Sequence, residues 1–425
     1  MTAVTIKSKM DSLADQMDKV IRFFLIIFVV GSPFSISLAQ IGLVPAIIIW
    51  LFKVIFLKKL RFYGTFLDTA ILLYILGTLL TSFFCEHSSK AFSSIQEIWH
   101  ILMLYVLIDV SDEKFIKKLI KILFLFTVLT SIYGVWQHFS GWDLIRKRSL
   151  TPNAPGASFY NITGGFGLHL TYGGYVMMIA LVGLSLILAH RRSDRKYFWY
   201  SIAGTFLITF TVYGSYARSA WAGFIVGLLL WGFLKSKKWF AVIMIFLIFF
   251  GSVAFFTVPT FKYKIKTFTQ IQESRRWQIW SVALKMIKDH PVIGVGHGNF
   301  NTYYVNYMDK KNWREPSGHP HNDFLSIYLS TGLIGFISYL LLWFLIIKKG
   351  IASIRKTEDE GSNYITGLLS GIVAFMVAGL SQNYFTDSEN SMLLWFFISA
   401  LAVLYYRNTP KRTVQDKIKG LFKAK

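Results

Sequence analysis

The sequence predicts an all-α polytopic membrane protein with about twelve transmembrane helices and one large outer loop that carries amphipathic helices. Three features carry that expectation. Hydrophobic residues fill 54% of the 425 positions and aromatic residues 17%, too apolar for a soluble chain of several domains. Apolar runs of about 17–25 residues, long enough to cross a bilayer as helices, recur from end to end. Basic residues cluster in every second connection between those runs.

In order, hydropathy places the spans at roughly 21–39, 41–57, 66–85, 93–110, 119–139, 166–189, 197–214, 219–234, 239–258, 324–347, 364–382 and 391–406. The basic clusters are Lys58, Lys59 and Arg61; Lys114 to Lys121; Arg191 to Lys196; Lys235 to Lys238; Lys348 to Lys356; and the tail 407–425. This positive-inside pattern puts both termini in the cytoplasm and makes most of the +23 formal charge a matter of topology. Nucleic acid is therefore not an expected partner, whereas membrane lipids are, through anionic headgroups at the basic tail. No small-residue cleavage site is evident near the polar N-terminus, so no cleavable signal peptide is expected. The single cysteine, Cys85, excludes a disulfide framework. The chain divides into nine spans over 1–258, an outer loop over 259–322, three spans over 323–406 and the basic tail 407–425.

The outer loop, at roughly 60 residues, far exceeds the usual connection length. Its aromatic content, with Trp277, Trp280, Phe300, Tyr303, Tyr304, Tyr307 and Trp313, argues against disorder. It is also basic, against the charge rule for an outer segment. One reading is a binding site for an anionic group such as phosphate; the other is attraction to anionic lipid. Within it, "ESRRWQIWSVALKMIKDHPVIGVG" predicts a helix with Trp277, Trp280, Leu284 and Ile287 on one face, stopped by Pro291 and Gly294. Such a helix suits the outer interface. Arg275 and Arg276 sit near its start, where positive charge is disfavoured unless function or a nearby anion compensates.

Two further places hold chemistry-bearing residues. Arg218, in "YGSYARSAWAGF", lies at the outer turn between the seventh and eighth spans, and a guanidinium there needs partners or snorkels to headgroups. "SGHPHNDFLSIYLSTGLIG" runs from a histidine pair into the tenth span. Asn322 or Asp323 can cap that helix, which leaves His321 at its positive end, uncharged at pH 7 and able to accept a proton. His319 is the weaker candidate because Pro320 is expected to turn it away. A hydrogen-bonded structural histidine is the alternative, and an isolated His-x-His is a weak metal signal, so no metal is assigned. Gly332 and Gly335 lie about 16 Å or more down the helix and are expected to serve helix packing.

These pieces, in this order, resemble the O-antigen ligase and polymerase superfamily of bacterial inner membranes, and the O-antigen ligase family in particular. His321 and Asn322, nine residues, then Gly332-x-x-Gly335 resemble its histidine signature. Arg276-x-x-x-Trp280 followed by a His-Pro and glycine-rich turn resembles a second motif. "SYARSAWAGF" resembles a Ser-Arg-x-x-Trp segment, with Ala217 standing where the family has serine. The resemblance implies a GT-C-like membrane glycosyltransferase with its site on the periplasmic side of the inner membrane. Its donor would be a polyprenyl (undecaprenyl) diphosphate-linked glycan, its acceptor a sugar hydroxyl of the lipid A core. It implies that Arg218, Arg276 and the neighbouring Arg275 hold the diphosphate and that His321 takes the acceptor proton, with His319, Asn322 and Trp280 in support. No cofactor, metal or ATP is implied, and inversion at the anomeric carbon is expected. A polymerase acting on a second lipid-linked glycan remains the alternative. A solute transporter is a third reading, with Lys53, Glu97, His100 and His169 as candidate midplane groups.

Overall fold

The structure, a computed structural model, describes residues 3–60, 64–95, 98–191, 193–257, 272–308, 318–355 and 360–406. In chain order its α-helices are α1 (Ala3–Gly31), α2 (Ile36–Phe56), α3 (Asp68–Phe84), α4 (Ser88–Ser93), α5 (Leu102–Val110), α6 (Glu113–Ser140), α7 (His169–His190), α8 (Arg195–Gly214), α9 (Arg218–Lys235), α10 (Lys237–Thr257), α11 (Gln272–Asp289), α12 (Phe300–Tyr307), α13 (Asp323–Arg355), α14 (Glu360–Ala378) and α15 (Ser388–Tyr406). The described strands are one short antiparallel pair, Trp142–Asp143 against Arg148–Ser149. Seven of the described helices, α2, α6, α7, α10, α13, α14 and α15, are long and apolar enough to cross a membrane. The chain is thus an all-α protein of the multi-pass membrane kind.

Two expected spans are drawn differently by the structure. The first, 21–39, does not run through Pro33: α1 ends at Gly31 and α2 starts at Ile36. Proline has no N–H to continue a ladder, and Ser35 caps the new helix by accepting from the Ser37 amide. The fourth, 93–110, is not one long helix. A 3₁₀ turn at Ile98–Ile101 leads into the nine-residue α5. These thirteen positions rise only about 20 Å, short of the ~30 Å hydrocarbon core. Met103, Leu104 and Val106 to Val110 are all buried, so its apolarity serves the protein core rather than lipid. Hydropathy alone does not separate these two uses.

The centre of the bundle is α7, α14 and α15, each more than three-quarters buried along its most apolar stretch, whereas α10 is almost wholly exposed. An apolar helix that touches so little protein has lipid as its natural solvent. Lys53, deep in α2, is fully buried and bonds Asp18 and Asp109, both at 2.6 Å. Trp50 Nε1 donates to Asp109 as well, at 3.2 Å. This lysine is a charge-compensated tie between α1, α2 and α5, and His100 and His169 are bonded to Ser391 and to the Ser215 carbonyl. Glu97 lies outside the described residues.

The helix α13 is interrupted. Gly332 has φ 64° and ψ −170°, a backbone state open in practice only to glycine. The break frees backbone groups that grip the turn after α11. Val295 and Gly296 amides donate to the Leu329 carbonyl (2.7 and 3.0 Å), and the Leu333 amide donates to the Val292 carbonyl (2.9 Å). Tyr328 adds its hydroxyl to the Pro291 carbonyl at 2.7 Å, and Thr81 of α3 adds its own to Ile293 at 2.7 Å. Gly332 is therefore a docking point for the glycine-rich turn as well as a packing residue. Gly335, one turn on, lies against Gly77 of α3, where a Cβ on Gly77 would fall 2.4 Å from the Gly335 nitrogen.

Candidate active site

The helix α11 presents two apolar faces. Ile279, Val282, Ala283 and Met286 pack with Val295, Phe300, Tyr303, Tyr304 and Leu329 in a small second core. Of the face expected from spacing, Trp277 and Leu284 stay exposed, while Trp280 and Ile287 are partly covered. Protein packing thus falls on a neighbouring face, and Trp277 and Leu284 are left to the surroundings. Trp280 turns inward and donates its Nε1 to the Pro320 carbonyl at 3.0 Å. Arg276 precedes it by four residues and so shares its side of the helix. One helix face therefore carries both the cation and the anchor that ties it to the histidine loop.

That loop is compact. The His321 amide donates to Nδ1 of His319 at 3.2 Å, and the two rings meet edge-on with centroids 4.3 Å apart. Pro320 does not part the pair, contrary to expectation; its carbonyl is held by Trp280, and the tight turn folds His319 back. The turn requires φ 51° at His321, a conformation a non-glycine residue seldom takes. Asn322 is the cap of α13: its Oδ1 accepts from the Leu325 amide at 3.1 Å, and its Nδ2 donates to the Leu380 carbonyl at 2.9 Å. Burial, then the neighbouring His321, pulls the His319 imidazole down to about 4, so it is uncharged at neutral pH.

A segment that spacing did not single out completes the site. The connection between α14 and α15, residues 379–387, lies over the start of α13. The Asp323 amide donates to the Gly379 carbonyl at 2.7 Å, and its buried carboxylate accepts from the Phe385 amide at 2.9 Å. Gln382 sets its Oε1 3.2 Å from Nδ1 of His321. An amide oxygen there calls for the proton on Nδ1, which places the imidazole lone pair on Nε2. Tyr384 is buried, with its hydroxyl 3.0 Å from Ser219 Oγ and 3.1 Å from the Leu170 carbonyl. Burial, then Glu389, pushes the Asp387 carboxyl up to about 7, while Thr171 donates to it at 2.6 Å.

Arg218 opens α9, at the end where the helix dipole favours anions. Its turn is built by neighbours. Tyr216, with φ 51°, receives a hydrogen bond from Asn153, and Trp221 Nε1 donates to the Val212 carbonyl at 3.0 Å. Ser215 Oγ accepts from the Ala217 amide at 3.3 Å. Burial, then the positive charge of Arg218, lowers the Arg276 guanidinium's hold on its proton, and Tyr384 acts the other way. Arg276 thus lies within electrostatic reach of both Arg218 and Tyr384, although α9 and α11 are far apart in sequence. Strained backbone at Tyr216 and His321, two of the four non-glycine positions with positive φ among the described residues, flanks this group.

The structure therefore gathers Arg218, Arg276, Trp280, His319, His321 and Asn322 at one end of the bundle. The Arg275 side chain lies outside the described part, as do residues 258–271 and 309–317 of the basic loop. Gly332 and Gly335 stand apart, as scaffold. Gln382, Tyr384 and Asp387 were not anticipated; their one signal was a polar cluster, "SQNYFTDSEN", between two apolar runs.

Comparison with known proteins bears on the same region. A family model described as O-antigen ligase matches residues 203–340, which includes Arg218, Arg276, His321 and Gly335. The chain is 28% identical over 142 residues to a "Putative polysaccharide ligase" of Rickettsia felis, covering 32% of each protein. It is 27% identical over 180 residues to an O-antigen ligase of Salmonella typhimurium, covering 40% of this chain and 44% of the other. The matches span less than half the length of these relatives. Over this stretch, which holds the motifs, the chain is similar to the O-antigen ligase family.

Proposed function

We propose that the protein is an O-antigen ligase. It transfers a glycan from undecaprenyl diphosphate to a sugar hydroxyl of the lipid A core, at the periplasmic face of the inner membrane, with the outer loop and the ends of α9 and α13 forming the site. The observation that supports this reading is that Arg276, within electrostatic reach of Arg218, stands on a helix that Trp280 ties to the histidine loop, where His321 faces Gln382.

Two neighbouring guanidiniums repel each other, and a diphosphate placed between them relieves that cost through charge-assisted, forked hydrogen bonds. Arg275 is a further donor for the same group. As the acceptor oxygen forms its bond to the anomeric carbon, the bond from that carbon to the diphosphate oxygen breaks. The electron pair leaves with the diphosphate, where the arginines stabilise the developing charge. The acceptor proton passes to Nε2 of His321, whose Nδ1 proton is directed at Gln382. Attack opposite the leaving diphosphate inverts the anomeric centre. The energy resides in the donor bond, so neither ATP nor a metal is called for.

The test is transfer in vitro from lipid-linked glycan to core lipid by the purified protein, with chelator present. Glycan joined to core lipid is the expected product. Elongated lipid-linked glycan without joined core would mark a polymerase instead, and uptake into liposomes without transfer would mark a transporter.

A further inference from the structure

A cavity of about 200 Å³ opens beside His319, between the turn after α11, the start of α13 and the segment 379–387. Its polar lining comes in part from His297, His319, Ser330, Asn383 and Thr386, with the Phe300 ring at one side. No lysine, arginine, aspartate or glutamate lines it among the described residues. Burial pulls the His297 imidazole down to about 4, so both histidines that line it are neutral at pH 7. Nε2 of His297 and Oδ1 of Asn383 are buried with no hydrogen-bond partner among the described residues. Polar atoms left that way are destabilising, and a hydrogen-bonding ligand offsets that cost.

These features choose among ligand classes. A phosphate would want cations, and those sit with Arg218 and Arg276 instead. A lipid chain would want a wholly apolar wall, whereas Val295, Pro320 and Leu329 share this one with the polar groups. A neutral polyhydroxylated ring fits uncharged donors and acceptors beside one aromatic face. The volume is below the ~300–1,000 Å³ of sites for drug-sized molecules, which limits the occupant to about one ring. The imidazole pair borders the cavity through His319, whose ring centroid is 4.3 Å from that of His321.

We infer that this cavity is the acceptor subsite: it seats the single neutral sugar ring whose hydroxyl is to be glycosylated and presents it to the histidine pair. The inference rests on the transfer reading above. It assigns separate places to the two substrates, charged diphosphate at the arginines and uncharged sugar at His297, His319 and Asn383.

The experiment combines a cavity-filling variant with soluble competitors. Ser330→Phe projects a ring into the cavity from α13. It should raise the KM for core-lipid acceptor by about tenfold or more, while binding of labelled lipid-linked donor stays at the wild-type level. On the wild-type protein, a panel of methyl glycosides of hexoses and heptoses should include members that compete with the acceptor and not with the donor, an arm that does not depend on the variant folding. Wild-type acceptor KM in a folded Ser330→Phe protein, or a panel in which no glycoside competes with acceptor, overturns the cavity assignment while leaving the ligase reading intact. A wild-type protein that transfers glycan to no acceptor overturns both.

Discussion

Replacing Gly332 by alanine tests whether the break in α13 is what joins the arginine helix to the histidine loop. A Cβ at this position would lie 2.4 Å from the Val292 carbonyl oxygen and 2.8 Å from that of Ile293, and both are backbone atoms that cannot rotate away. The φ of 64° with ψ near −170° adds a penalty of about 1–3 kcal/mol for a residue with a side chain. Moving the turn aside also breaks the Leu333 to Val292 hydrogen bond, worth about 1 kcal/mol. The docked turn is thus weakened by about 2–4 kcal/mol, or roughly thirtyfold to a thousandfold in its occupancy relative to an undocked form. Initial rates of glycan transfer in detergent should fall by about a hundredfold while the protein is still made and inserted, because no span is lost. Gly251→Ala is the matched control: Gly251 lies in α10 with nothing within 4 Å of a new Cβ, so activity should be unchanged. Transfer by Gly332→Ala within about twofold of wild type would refute the docking role, since 2 kcal/mol corresponds to far more than that.

Three other outcomes are expected. His321→Ala should abolish transfer without loss of expression, and full activity in that variant would remove His321 as the base. Arg276→Lys should lower transfer by about tenfold or more, since an ammonium is a point charge without the guanidinium fork; unchanged kinetics would argue against bidentate phosphate contact. The third concerns pH. The His319 pKa of about 4 lies below the ordinary 6.5, so protons favour the unfolded chain. Stability is therefore full above pH 6.5 and is lost as pH falls toward 4, by about 2 kcal/mol at pH 5. Thermal unfolding in detergent should show a smaller drop between pH 7.5 and 5 for His319→Gln than for wild type, and equal drops would contradict that assignment.

What could be read from the sequence was what depends on rare or costly residues. Arg218, Arg276 and His321 stand out because charge and imidazole are expensive next to apolar runs, and the structure brings them to one end of the bundle. The spans at α6 and α7 were legible because lipid imposes length and apolarity together. α5 was misread because a core-buried helix satisfies the same hydropathy as a short span. Gln382 and Tyr384 were invisible for a different reason: neither is charged, and their importance comes only from where the segment 379–387 lands on α13. Likewise the fold of Asn153 onto Tyr216 depends on a long-range contact that no local pattern announces.

The segment that carries Gln382 and Tyr384 emerges from the ribosome after fourteen of the fifteen described helices. Until it arrives, Asp323 lacks its Phe385 bond and His321 lacks its Gln382 neighbour. The surroundings of His321 and Asp323 are therefore completed only once the connection between α14 and α15 has been made.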